Sequence, residues 1–133
     1  MKFGSLWSRI LTLLIVGLMV PRYLSAQDNV SQRGIAILNR NCVSCHGQTR
    51  VSALDLRHRE SALKGGNRGP AVVPGNAKMS LLYQAASHSD QLKMPPGQPS
   101  LPLQDLEALR QWIDQGFLWD SPALQTQGQQ SVW

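Results

Sequence analysis

The sequence has little with which to build a β-sheet, a disulfide framework or a large aromatic interior. No stretch alternates apolar and polar residues for long enough to make a sheet, which leaves helices and loops. Two cysteines among 133 residues are too few for the set of bridges that staples small secreted domains. Aromatic residues make up only 6% of the chain, so a core of this size is modest and a cofactor would help it fold. Acidic residues are scarce, 8 against 13 Lys plus Arg, but much of the imbalance sits at the start in Lys2, Arg9 and Arg22. Residues 27–133 carry ten basic against eight acidic side chains, a net of +2. A concentrated basic face is therefore lacking, and no nucleic-acid partner is expected.

What is present begins with an export signal over residues 1–26. Lys2 and Arg9 form its positive region, Ile10 to Val20 its apolar run, and Leu24-Ser25-Ala26 a cleavage site that leaves a mature chain starting near Gln27. The apolar run is about half of the roughly 20 residues that span a bilayer. Leu24 is bulkier than the small residue usual at that position, so an uncleaved anchor is the competing reading, and membrane association is expected only in that case. The periplasm or the exterior is the expected location, an oxidising setting in which two thiols are either paired or captured by a cofactor.

Along residues 27–120, the expected domain, helical spacing recurs. Val30, Ile35, Ile37 and Leu38 predict a first helix running to Asn41, capped by Asp28 or Ser31. From Gly47 to Gly75 periodicity fails and turn residues dominate, which predicts an ordered loop wrapped around something. Asn76 predicts the cap of a helix through Leu81, Leu82, Ala85 and Ala86, ending near His88. Met94-Pro95-Pro96-Gly97 stops any continuation. Leu106, Leu109, Trp112 and Ile113 share the face of a last helix from Leu103 to Gln115, with Gly116 as its C-terminal cap. Residues 121–133, rich in Gln, Ser and Thr, read as a flexible polar tail.

The chemistry is concentrated at Cys42-Val43-Ser44-Cys45-His46. Cys-x-x-Cys-His is the haem attachment signature: two thiols three positions apart on a turn reach two vinyl groups of one porphyrin edge, and the adjacent imidazole meets the iron. A thiol redox pair uses the same cysteine spacing but belongs on a strand-to-helix turn, and no strand is indicated. A zinc site recruiting His58 or His88 would need His46 beside Cys45, a poor geometry for tetrahedral ligands. For a sixth iron ligand the sequence offers Met79, Met94, His58 and His88. Met94 leads, because Pro95 and Pro96 restrict its loop and leave little entropy to lose on ligation. His88, at a helix end, is its main rival. Met79 reads better as a core-filling side chain, and His58 as a solvated loop residue.

The order and spacing of Cys42-Val43-Ser44-Cys45-His46-Gly47, Lys64-Gly65-Gly66-Asn67-Arg68-Gly69-Pro70, Pro74-Gly75-Asn76, Met94-Pro95-Pro96 and Leu109-Arg110-Gln111-Trp112-Ile113 with Gly116 resemble the planctomycete-type cytochrome c domain. The resemblance covers roughly residues 30–119. It implies an all-α fold of the small class I cytochrome c kind, three to four helices around one haem, with the first and last helices packed beside it. It implies thioethers at Cys42 and Cys45, His46 and Met94 as the iron ligands of one covalent haem c, and the Pro70 carbonyl as acceptor for His46 Nδ1. Pro102 departs from the usual Ser or Asp ahead of the last helix.

The function that follows is electron transfer rather than catalysis: an exported mono-haem cytochrome exchanging single electrons with a redox protein, such as a separate dehydrogenase or oxidase subunit. Lys64, Arg68, Lys78 and Lys93 flank the expected haem segments and could steer an acidic partner, or simply solubilise the chain. The alternative is a sensor or peroxidase-like haem protein with an open distal site.

Overall fold

The computed structural model describes residues 29–119. The expected leader, whether cleaved or kept as an anchor, and the expected tail lie outside those residues. Among the described residues four α-helices carry the fold: α1 over residues 29–41, α2 at Arg59–Lys64, α3 at Leu81–Ser87 and α4 at Leu103–Asp114. Among the described residues there is no strand, only one bridge between Gly66 and Gly69. The all-helical class expected from the missing alternation is the class adopted. No described helix is long and apolar enough to cross a membrane.

Helices α1 and α4 meet at Gly34, where a Cβ atom would overlap the indole of Trp112. The missing side chain lets the two backbones approach, and the approach buries Trp112, Leu109 and Ile113 to 1% exposure or less. Each such side chain contributes about 1.5–3 kcal/mol by leaving water. At the edge of the contact Arg40 donates to Asp105 at 2.8 Å.

Helix α4 starts directly after Pro102, whose carbonyl accepts from Asp105 and Leu106 while no side chain caps the end. Its other end is a Schellman turn: Gly116 N–H donates to Ile113 O at 3.0 Å and Phe117 N–H to Trp112 O at 2.9 Å, with Gly116 at φ 98°. The apolar contact that accompanies this motif is Phe117 on Trp112, ring centroids 4.2 Å apart, and Trp119 joins them at 5.3 Å from Trp112. Arg59, the first residue of α2, donates to the Phe117 carbonyl at 2.9 Å and so ties the middle of the chain to this end.

Two elements differ from the expectations. The segment expected to be loop throughout contains α2, six residues with Ala62 buried. It spans under two turns, too short for apolar spacing to show a period. The helix expected from Asn76 is broken: Asn76 Oδ1 caps a single 3-10 turn at Ala77–Met79, and α3 starts afresh after Ser80. Ser80 is fully buried, its hydroxyl accepting from Val73 N–H at 2.9 Å and donating to Asn76 O at 2.9 Å. These loop bonds hold its backbone extended and reset the helical phase. Met79, expected in the core, is consequently 64% exposed while Ala77 is buried in its place.

Candidate functional site

Helix α1 delivers the Cys-x-x-Cys-His turn. Cys42 and Val43 N–H both donate to Leu38 O, and His46 N–H to Cys42 O at 2.8 Å, so the chain keeps coiling for one turn beyond the helix. Val43 is fully buried and anchors this turn in the core. Cys42, Cys45 and His46 face the other way, into a cavity of about 620 Å³.

Residues far apart in sequence close that cavity. Leu54 and Leu56 come from the loop after the turn, Leu81 and Leu82 from α3, Leu92 and Leu101 from the segments around Met94, and Met94 itself lines it. Its volume falls within the roughly 300–1,000 Å³ range of cofactor pockets. Trp112, Phe117 and Trp119 pack on one another and take no part in its lining. The aromatics Trp112, Phe117 and Trp119 thus pack in the core, while leucines supply much of the cavity wall, with polar residues such as Asn67, Arg68 and Gln98 among the rest of its lining.

The two cysteines are free thiols, not joined to each other. Burial, and then the neighbouring Cys45, pushes the Cys42 thiol up to about 12. It also sits just past the C-terminal, negative end of α1, where a thiolate is disfavoured. A thiol oxidoreductase needs the opposite, a lowered pKa at a helix N-terminus or beside a cation. Conversion to a thioether removes the ionisable group, which suits this apolar wall.

His46 Nδ1 lies 3.0 Å from the carbonyl oxygen of Val51. A carbonyl only accepts, so the bond requires the Nδ1–H tautomer and leaves the Nε2 lone pair for a metal. In this structure Val51 O, rather than the Pro70 carbonyl that the resemblance implies, takes that bond. Pro70 is exposed, and its neighbours Gly69 and Ala71 line the cavity while Pro70 does not.

The physical reason is a left-handed turn. Arg50, Ser52 and Ala53 take φ of 48°, 58° and 61°, a region costly for residues with a Cβ, and the turn they make aims Val51 O back at the ring. Surrounding bonds impose it: Val51 N–H to Cys45 O at 3.1 Å, Leu56 N–H to His46 O at 2.7 Å, and Asn67 N–H to Ser52 O at 2.9 Å. Below the turn the buried Asp55 accepts from Arg57 at 3.0 and 2.7 Å and pairs with Arg50 at 3.3 Å. Those hydrogen bonds to Arg57 hold its carboxyl at about 2.

Among the sixth-ligand candidates only Met94 reaches the cavity. Met79 is exposed on its 3-10 turn, and neither His58 nor His88 lines the wall. His88 instead turns its ring to the Met94 backbone. Among the described residues no group of three or more His, Cys, Asp or Glu side chains gathers to hold a metal. The signal that sequence reading missed is the run 50–53, whose positive φ angles fall on residues with no special liking for them.

A largely apolar cavity lined by two thiols, one imidazole whose Nε2 is left for a metal and one thioether sulfur fits a haem. No curated protein and no solved structure matches the chain. The segment that runs from Cys42, through the glycine-rich loop, past Met94 and its proline pair, residues 42–98, matches the model of the family described as planctomycete cytochrome C.

Proposed function

We propose that the chain is an exported mono-haem c-type cytochrome that passes single electrons between separate redox proteins and catalyses no reaction of its own. One observation carries this reading: Cys42, Cys45, His46 and, 48 residues further on, Met94 line the same largely apolar cavity. Haem c bound there would supply a one-electron iron couple.

The chain's own residues would do the rest. Cys42 and Cys45 hold the porphyrin edge through thioethers. His46 offers Nε2, and the Val51 carbonyl fixes its ring and raises its basicity. Met94 offers a soft sulfur that favours Fe(II), so the reduction potential is moderately positive. The leucines exclude water from the iron. The leader at residues 1–26 takes the chain to the periplasm or beyond, and Arg68, on the cavity rim, together with Lys64, Lys78 and Lys93, steers an acidic partner.

The test is a visible spectrum of protein matured with a haem-attachment system. One haem per chain, resistant to acid-acetone extraction, with the weak sulfur-to-iron charge-transfer band in the oxidised form, is the expected result. A colourless product with free thiols or a Cys42–Cys45 bridge would sink the proposal. Ready uptake of carbon monoxide by the reduced protein would instead indicate an open distal site.

A further inference from the structure

We propose that His88 is a positioning residue for Met94, holding the methionine backbone so that its sulfur faces the cavity; the inference rests on the reading of Met94 as distal ligand. His88 follows α3 and takes φ 57°, ψ 27°, with its own N–H bonded back to Gln84 and Ala85 carbonyls. That left-handed step turns the chain and lays the imidazole beside the loop six residues ahead, where Nε2 is 3.3 Å from the Met94 carbonyl oxygen. Since the carbonyl accepts, Nε2 is the protonated nitrogen in this contact.

The other backbone group of Met94 is held from the same helix end. Its N–H donates to Ala85 O at 3.0 Å. Both polar groups of one peptide-chain residue are thus gripped by the last turn of α3, and the side chain is left to line the cavity. Holding the ligand's backbone in place before it binds lowers the entropy lost on ligation. His88 therefore acts through Met94 and does not compete with it.

The experiment compares ferric holoprotein of the native sequence with His88→Gly and His88→Gln, read by the sulfur-to-iron charge-transfer band and by displacement of Met94 with added imidazole. Glycine keeps the left-handed helix end and removes only the ring. Glutamine keeps an N–H donor of similar reach and the same backbone constraint. Loss of one ordinary hydrogen bond corresponds to about fivefold tighter imidazole binding in His88→Gly. Covalent haem content is expected unchanged, and His88→Gln is expected within twofold of the native protein. Native imidazole affinity in His88→Gly overturns the inference, as does equal weakening in both variants. Absence of the band from the native protein overturns the Met94 reading itself, and the inference with it.

Discussion

The carbonyl oxygen of Val51 takes the His46 Nδ1–H hydrogen bond across 3.0 Å, and it shares its second lone pair with Leu54 N–H at 3.3 Å. The turn that presents it is braced from the glycine-rich loop. Asn67 N–H holds Ser52 O, and Gly66 lies so close that a Cβ there would overlap that oxygen and come within 3.1 Å of Leu54 Cβ. Gly66→Ala must therefore shift the turn and lengthen the His46 bond. An imidazole without that acceptor donates less to iron and stabilises Fe(III) less. A hydrogen bond of about 1 kcal/mol corresponds to roughly 40 mV for one electron, so a redox titration of Gly66→Ala should read a rise of that order. An unchanged potential would remove Val51 from the site.

Packing of α1 on α4 is tested by Gly34→Ala. In a helix facing solvent the change would stabilise by about 1 kcal/mol through propensity. Here the added methyl overlaps Trp112, and overpacking costs about 1–3 kcal/mol. A melting temperature lower by several degrees is expected, since ~1 kcal/mol moves a domain of this size by about 4–8 °C. A higher melting temperature would show that the helices do not touch at Gly34.

Acid stability should depend on Asp55. Its carboxyl sits at about 2 in the folded chain because Arg57 hydrogen-bonds it, below its value of about 3.9 in an unfolded chain. The folded state therefore binds that proton less readily. The contribution is complete above about pH 4 and disappears as pH falls towards 2. Glu107 is also held at about 2 by Arg110, but that pair is exposed on α4 and solvent screens it. Asp55→Asn should flatten the fall in stability between pH 4 and pH 2 in acid unfolding followed by circular dichroism. A native-like slope would place the acid sensitivity elsewhere.

Removal of the cofactor is the severest test of the fold. A porphyrin would give the leucines that line the cavity of about 620 Å³ an apolar partner. Cys42→Ser with Cys45→Ser should give a chain that loses its cooperative thermal transition and its near-ultraviolet circular dichroism, since binding and folding energies are linked. A sharp melt equal to that of the holoprotein would contradict this.

Local features were legible in the sequence. Helix α4 shows because twelve residues give three turns of apolar spacing, ended by a glycine. Cys42, Cys45 and His46 stand out because the chemistry expected of them needs only adjacency, and Met94 because two prolines mark its loop; the structure lines one cavity with all four. Helix α2 was hidden by its length, and the exposure of Met79 by a break at Ser80 that depends on Val73 and Asn76.

Residue types alone settled the all-helical class and the set of chemical groups available to a cofactor, because helical spacing and the Cys-x-x-Cys-His run are properties of neighbours along the chain. Which carbonyl steadies His46, and what the ring of His88 touches, were settled only by the folded backbone. Both depend on positive φ at Arg50, Ser52, Ala53 and His88, a conformation that the surrounding fold selects. No reading of single residues shows that sign, and its reversal would send either contact to the opposite side of the chain.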